Sequence, residues 1–345
     1  MKKFKIRNRL RIIVLMHESL IPPDTLDGIE DKTRQLWRTE YDVVSTLKGM
    51  GHDVLAVGLH GDLSVIARAL EEFKPHIAFN VLEEFDGYAL FDQHVVSYLE
   101  LMRQAYTGCN PRGLTICHDK ALTKKILTYH RIHVPNFAVF PLKGRAVKRP
   151  GRLHFPLLVK SVTEEGSAGI SQASIVSDDE KLADRVAFIH RQTKSDAIAE
   201  QYIEGREIYV SVLGNHKLQV FTPWELKMSN LPEGQANIAT GRLKWNKEYQ
   251  KKVGSFTEAA KLSPELKTKI EHVSKRIYRI LGLSGYARLD YRLAENGEIY
   301  LLEANPNPQI ALDEEFADSA AYSGMSYQEL LQKIVTLGLG YSPQG

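Results

Sequence analysis

The chain has 345 residues, 43% hydrophobic and 25% charged, the composition of an ordinary folded protein, so disorder is not its default state. That length exceeds one typical core, and two or three domains are expected. A net charge of +3 is too small to argue for a nucleic-acid partner.

Six of the first eleven residues are Lys or Arg (Lys2, Lys3, Lys5, Arg7, Arg9 and Arg11), which reads as a solvated basic tail. The apolar run behind it, "IIVLM" (12–16), is shorter than the roughly 7–15 residues of a signal-peptide core and the roughly 20 of a membrane span. A soluble, cytoplasmic protein with no membrane partner is expected. Cys109 and Cys117 are the only cysteines; they imply no disulfide framework, have no metal-ligand spacing, and read as passive thiols.

The first third alternates apolar runs with helical patterns. A strand at 11–16 is followed by a helix around 37–50, a strand at 53–59, a helix near 63–73, a strand at 77–82 and a helix at about 92–103. The order βαβαβα favours a doubly wound parallel sheet with helices on both faces. In such sheets ligands bind beyond the carboxyl ends of the strands, which here read "HES" (17–19) and "EEFDG" (83–87). Neither fits the dinucleotide fingerprint G-x-G-x-x-G, and the chain has no P-loop. His17 and Glu18 are candidates to orient a substrate there, although a histidine at a strand end serves structure equally well.

A second unit begins near "HDK" (118–120), where Asp119 caps a helix carrying Leu122, Ile126 and Leu127. Lys120 falls in its first turn, where the helix dipole disfavours a cation unless an anionic ligand is near; simple exposure is the other reading. "FPLLVK" (155–160) is a buried strand ending in Lys160, and "SVTEEGSAGIS" (161–171) is a small-residue loop that returns as a strand. An unpaired ammonium at the end of an apolar strand costs several kcal/mol when buried. Lys160 therefore pairs either with Glu164 or Glu165 or with phosphate oxygens cradled by backbone N–H groups of Gly166, Ser167, Ala168 and Gly169. A helix at about 178–191 precedes "AIAEQYIEGREIYVSVLG" (197–214), read as strand, turn at Gly205, strand. Within it Glu200 to Ile203 offer backbone polar groups to a base edge and Glu207 offers a carboxylate to ribose hydroxyls, unless these acids are only solvated.

Residues 228–260 are rich in Gly, Asn, Pro and Lys without periodicity, and so long a loop in a compact protein is usually functional. It holds Lys244, Trp245, Tyr249, Lys251 and Lys252, a basic and aromatic mixture that either stacks on bases or covers a substrate. A helix then starts at Ser263 (N-cap) and Pro264, carries Leu266, Ile270, Val273, Ile277 and Leu281 on one stripe, and ends at Gly282. No internal repeat interrupts the chain.

The last motif is "DYRLAENGEIYLLE" (290–303). Asn296-Gly297 between strand-like residues signals a hairpin with a two-residue type I′ turn. Counting outward from it sets Asp290 opposite Glu303 and Arg288 opposite Asn305, all on one face. Leu289, Tyr291, Leu293, Tyr300, Leu302 and Ala304 face the other way, toward a core. Two opposed carboxylates repel. Either a divalent cation sits between them, with Mg²⁺ bridging to phosphates suiting such hard oxygen ligands, or the face is solvated and Arg288 neutralises Asp290.

Two lysines, a small-residue loop, "EQYIEGRE" and an R-x-D hairpin ending "LLEANPNP", in this order and spacing, resemble the ATP-grasp superfamily, and within it the D-alanine–D-alanine ligases. The resemblance runs from the first strand to "GMSYQELLQKIV" (324–335). It implies an α/β and α+β architecture: an N-terminal α/β substrate-side domain (1–115) with a doubly wound parallel sheet, followed by a two-part ATP-grasp module. The module's halves would be a central subdomain (116–212) with the lysines and nucleotide loop, and a C-terminal subdomain (213–345) with the metal hairpin and substrate-covering loop. The function it implies is an ADP-forming carboxylate–amine ligase that uses ATP and Mg²⁺, Mn²⁺ being an acceptable substitute. An amino acid or small peptide would supply the carboxylate, and no nucleic acid would be bound.

Carried over by residue, Lys120 and Lys160 resemble the nucleotide lysines, and Gly166 and Ser167 the loop closing over the β/γ-phosphates. Glu200, Gln201 and Ile203 would hold adenine and Glu207 the ribose. Asp290, Glu303 and Asn305 would hold Mg²⁺, and Arg288 would face the transferred phosphoryl group or the tetrahedral oxyanion. Ser167 and Glu18 join Arg288 as catalytic candidates. Similar enzymes are commonly dimers, so a homodimer is a further expectation.

The chain departs from the family pattern in two places. Where the pattern has a Gly-Gly turn after the first strand and a His-Gly element after the third, this chain has "LMHESL" and "NVLEEFDG", which match only loosely at Glu18 and Asp86-Gly87. Beyond the metal residues, where the pattern has Gly and Ser for the acceptor's carboxylate, it reads "PNPQIALDEEF". Asp313, Glu314 and Glu315 would repel a carboxylate if they face the site, pointing to an amine-rich acceptor other than D-alanine; alternatively they flank a helix and point to solvent. The competing classes are an ATP-grasp kinase that stops at phosphoryl transfer and a nucleotide-binding regulatory protein without turnover.

Overall fold

The structure is a computed structural model that describes residues 9–144, 147–164 and 169–343. Gly166 and Ser167 lie outside the described residues.

The first layer is a parallel sheet ordered β2-β1-β3, with β1 (Arg11–His17) between β2 (Asp53–Leu59) and β3 (Ile77–Asn80). After the short turn α1 (Asp31–Arg34) come α2 (Arg38–Gly49), α3 (Ser64–Phe73) and α4 (Asp92–Leu101). Both faces of β1 are buried, which explains its unbroken apolar run. Ile13 and Leu15 pack with Ile66 of α3 and Val95 and Leu99 of α4. Ile12, Val14 and Met16 pack with Val43 and Leu47 of α2 and with Leu330, Leu331 and Ile334 of the last helix.

Helices α5 (Pro111–His118) and α6 (Lys120–Tyr129) lead into the central sheet, ordered β4-β7-β5-β6, of β4 (Phe137–Phe140), β5 (Leu157–Ser161), β6 (Ile175–Val176) and β7 (Ala197–Gln201), with α7 (Asp179–Thr193) packed on it. Neighbouring strands in this sheet run antiparallel. In α6, Leu127 is buried and Ile126 partly so, whereas Leu122, expected on the apolar stripe, is 37% exposed.

The third layer is an antiparallel sheet ordered β11-β10-β8-β12-β13, from β8 (Arg206–Leu213), β10 (Trp224–Met228), β11 (Ser255–Ala259), β12 (Tyr286–Leu293) and β13 (Ile299–Pro306), with β9 (Gln219–Val220) paired to β8. The segment 197–214 is strand, bend at Gly205, strand, as expected, but the two strands do not pair with each other. β7 and β8 belong to different sheets, and residues 202–205 cross between them. The expected boundary at 212/213 therefore falls inside β8. Gly205 (φ +145°) allows the crossing because a Cβ there would collide with the carbonyl of Leu293.

The stretch 228–260 is also more ordered than its composition suggests. It contains α8 (Gly241–Trp245), capped by Thr240, then α9 (Lys247–Val253), capped by Asn246, and then β11. Polar caps at two short helices lack the apolar period that reveals longer ones. Helix α10 (Pro264–Ile280) starts at the expected Ser263 cap, whose hydroxyl accepts from Leu266 N. Helices α11 (Glu315–Tyr322) and α12 (Tyr327–Leu339) end the chain, the latter being the helix under the first sheet. No helix among the described residues is long and apolar enough to cross a membrane.

One close approach positions the loop after β13. Gly285 (φ +69°) meets the carbonyl of Gly108, and Gly108 (φ +95°) meets the carboxamide of Asn307. Asn307 Oδ1 accepts from Cys109 N at 2.7 Å, which ties the end of β13 to the segment entering α5.

Candidate active site

The hairpin of β12 and β13 carries the expected pairs: Asp290 lies opposite Glu303 and Arg288 opposite Asn305. The route to this register differs from the expected one. Gly297 N donates to Ala294 O at 3.0 Å, and Gly297 (φ +78°), but not Asn296, is left-handed. The loop is a type I turn closed by a left-handed glycine, which shifts the inner pairs to Leu293↔Ile299 and Arg292↔Tyr300. A β-bulge between Asp290 and Tyr291 on one strand and Leu301 and Glu303 on the other then restores the outer pairs. In consequence Leu301, not Leu302, is fully buried with Leu289, Tyr291, Leu293 and Ala304.

The opposite face of the sheet is charged. β8 contributes Glu207 and Tyr209, β12 Arg288, Asp290 and Arg292, and β13 Glu303 and Asn305. Arg288 grips Asp290 with both arms, Nε to Oδ1 at 2.8 Å and Nη2 to Oδ2 at 3.0 Å, and its guanidinium lies 4.7 Å from the centre of the Tyr209 ring. Asn305 Nδ2 donates to Asp290 Oδ2 at 2.9 Å. Glu207 is buried; it accepts from Arg292 Nη2 at 2.9 Å and Tyr209 OH at 3.0 Å.

The lysines reach this face from α6 and β5. Asp119 caps α6 as expected, accepting from Leu122 N at 2.8 Å, and this fixes the direction in which Lys120 leaves the helix. Lys120 Nζ lies 2.7 Å from Glu303 Oε1 and donates to the Glu164 carbonyl at 2.6 Å. Lys160 and Glu200 are diagonal neighbours on one face of β5 and β7, 3.1 Å apart. Glu200 is 1% exposed and its carboxylate is engaged by Lys160, at the end of β7 where the chain crosses to β8. Gln201 and Ile203 are half-buried there. Glu18 is exposed, in a single 3₁₀ turn after β1, and His17 beside it hydrogen-bonds His60 at 3.2 Å and Ser19 at 2.7 Å.

Lys124 had no sequence-based assignment. It is fully buried, lies 3.4 Å from Glu200 Oε1 and donates to the Leu302 carbonyl at 2.8 Å. The signal was its spacing, one helical turn after Lys120. Burial pulls the Lys124 ammonium down to about 8 against the pull of Glu200. Burial by itself would raise the Glu303 carboxyl, yet Lys120, then Lys160 and Lys124, hold it at about 2. Burial pushes Asp290 up to about 6, with Arg288 opposing.

Of the three acids after β13, Asp313 points to solvent and lies 3.4 Å from Arg38, and Glu314 is 3.1 Å from the same guanidinium. Glu315 turns inward, with Oε2 3.5 Å from Arg288 Nη1.

Among the described residues, no three or more His, Cys, Asp or Glu gather as a metal site. Two carboxylates and one amide on one face are too few for an all-protein cage. They suit a Mg²⁺ that takes its remaining ligands from phosphates and water, and the lysines beside them match those phosphates in charge. The donor set fits Mg²⁺ bound with a nucleotide.

Residues 128–336 match the family described as D-ala D-ala ligase C-terminus. The chain is 30% identical over 302 residues to an uncharacterised protein of Sinorhizobium fredii, y4sG, covering 85% of each chain. It is 28% identical over 307 residues to a D-alanine–D-alanine ligase of Moorella thermoacetica, covering 86% of this chain and 92% of that one. In fold it is similar to the D-alanine–D-alanine ligase of Bacillus anthracis crystallised with ATP, with a TM-score of 0.74 at 24% identity, covering 96% of this chain and 98% of that one.

Proposed function

The chain belongs to the D-alanine–D-alanine ligase family, and on that premise we propose that it is an ATP-dependent, ADP-forming ligase joining a small carboxylate to an amine. The observation that carries this reading is the single charged face on which Lys120 meets Glu303 and Arg288 meets Asp290. That arrangement suits a transferring phosphoryl group, whose charge must be neutralised on several sides at once.

In the first step a substrate carboxylate oxygen attacks the γ-phosphorus, an O–P bond forms and the bond to ADP breaks. In the second, an amine attacks the acyl carbon, loses a proton, and phosphate leaves. Lys120 and Lys160 hold phosphate oxygens, and Arg288 faces the phosphoryl group and then the oxyanion. Asp290, Glu303 and Asn305 hold Mg²⁺, which supplies further positive charge against the phosphates when bound. Gln201 and Ile203 border the adenine, Glu207 is the residue we assign to the ribose, and Glu200 keeps the lysines in place. Gly166 and Ser167 are assigned to the loop over the phosphates, and Glu18 to the carboxylate substrate's side.

We assign the acceptor to amines without a carboxylate next to the nucleophilic nitrogen. Glu315 supports this, since its contact with Arg288 puts a further negative charge beside the charged face, where an acceptor carboxylate would be repelled. Carboxylates within about 4 Å at an effective dielectric near 20 repel by about 4 kcal/mol.

Release of ADP and phosphate from Mg·ATP, measured against amino acids, dipeptides and simple amines singly and in pairs, tests the reading. A required pair and a product mass equal to their sum less water is the expected result. Phosphorylated product without an acceptor would instead establish a kinase, and nucleotide binding without turnover across the panel a regulatory protein.

A further inference from the structure

The bulge in β13 leaves Leu302 without a partner on β12. Its carbonyl accepts from Lys124 Nζ at 2.8 Å, and the carbonyl of Leu301 lies 3.4 Å from the same ammonium. Lys124 is 1% exposed, and a lysine is almost never buried so deeply without a specific task. Pairing with Glu200 is not a sufficient one, because Lys160 already lies 3.1 Å from that carboxylate. An apolar side chain of similar volume would also avoid the desolvation of a second ammonium.

The remaining task is mechanical. Lys120 and Lys124 stand one turn apart on the same face of α6 and grasp consecutive residues of β13, Glu303 by its carboxylate and Leu302 by its carbonyl. The inner pairs, such as Leu293↔Ile299, and the outer pairs, such as Asp290↔Glu303, differ in register by the one residue that the bulge absorbs. Were the inner register to continue, Leu302 would oppose Asp290 and Glu303 would oppose Leu289, turned toward the core, since a slip of one residue moves every side chain to the other face.

We propose that Lys124 is a positioning residue for the metal and phosphate site: it pins the bulge at Leu302 and thereby keeps Glu303 facing Asp290. The proposal rests on the assignment of Asp290, Glu303 and Asn305 to the metal, and it concerns a group that touches neither metal nor substrate.

The test is Lys124→Met, which fills the space and leaves Glu200 paired with Lys160. Mn²⁺ binding is measured calorimetrically on protein saturated with a non-hydrolysable ATP analogue, alongside analogue binding in chelator, kcat and thermal unfolding. The expected result is Mn²⁺ binding weaker by roughly tenfold or more, the range seen when groups that orient metal ligands are lost, and a lower kcat. Metal-free analogue binding should stay within about threefold of the wild type, well inside that range. A folded variant with wild-type Mn²⁺ affinity and kcat, including one that merely melts earlier, overturns the proposal. Should Lys124→Met fail to fold, Lys124→Gln decides: its uncharged carboxamide ends one bond short of the ammonium and so does not reach the Leu302 carbonyl, while Glu200 keeps Lys160. The same weakening is expected of it, and wild-type values overturn the proposal. Wild-type protein that binds the analogue but no Mn²⁺ would remove the metal assignment and this proposal together, whereas normal wild-type binding with unchanged variants removes this proposal alone.

Discussion

Asp290 and Glu303 face each other directly across β12 and β13, yet their carboxyls are driven in opposite directions, up to about 6 by burial in the first and down to about 2 in the second. Each answers to its own cation, Arg288 within its own strand and Lys120 from α6. The first expectation follows from that division. Glu303→Gln takes a charged oxygen from the metal set and the anion from Lys120 while leaving the Arg288–Asp290 pair intact. Turnover at saturating Mg²⁺ should fall by roughly 100-fold or more, as for loss of a metal-site group, with the fold kept but its stability lowered by a few kcal/mol, because Lys120 loses its anion. ADP release measured across a Mg²⁺ titration checks this, and full retained activity would sink the metal assignment.

Glu200 neutralises two buried lysines at 3.1 and 3.4 Å. Removing one partner from a buried ionic group leaves uncompensated charge and costs about 3–5 kcal/mol. Glu200→Gln should therefore lower the urea-unfolding free energy by that order. A loss below about 1 kcal/mol, typical of exposed pairs, would mean that the lysines find another anion.

Glu40, in the first turn of α2, is 6% exposed, and burial, followed by repulsion from Glu83 and Asp42, raises its carboxyl to about 7 from an ordinary 4.5. The folded chain therefore binds this proton more tightly than the unfolded chain does. The resulting stability is fully present below pH 4.5 and is lost as pH rises through 7. Glu40→Gln removes the cost of ionising the buried group, so the variant should gain on the wild type between those limits, by on the order of 3 kcal/mol at pH 8. Denaturant unfolding of both proteins at pH 4.5 and pH 8 is the measurement, and an equal difference at the two pH values would contradict the expected coupling.

Glu315 lies against Arg288, whereas Asp313 and Glu314 are engaged by Arg38. Acceptor choice should therefore respond to one acid of the three. With Glu315→Gln, α-amino acids should gain as acceptors relative to simple amines by roughly tenfold or more, since removing a repulsion of a few kcal/mol is worth at least that. The same change at Asp313 should have little effect. Competition between paired acceptors, read by product mass, distinguishes the two, and identical preferences in all three proteins would refute the acceptor assignment.

Much of the site was legible because it depends on local periodicity. Alternation along 286–306 put Arg288, Asp290, Glu303 and Asn305 on one face, and capping chemistry located Asp119 and Ser263 at helix starts that the structure retains. The register came out right at the site through two compensating departures, a longer loop at Gly297 and a bulge at Leu302. Neither has a distinct sequence signal, because Asn-Gly serves both turn geometries and the bulged residue is an ordinary leucine.

The sequence by itself determined the order of the elements, the buried run of β1, the charged face of the hairpin and the lysines that precede it, since each follows from spacing within one segment. Tertiary structure alone decided which charges meet. Lys120 reaches Glu303 across 183 positions, Lys124 reaches Leu302, Glu200 is closed between two lysines, and Glu315 rather than its neighbours turns to Arg288. Ion pairing between distant segments carries no period along the chain; it is set by how α6 docks against two sheets, and that docking is fixed by the buried surfaces of the whole molecule.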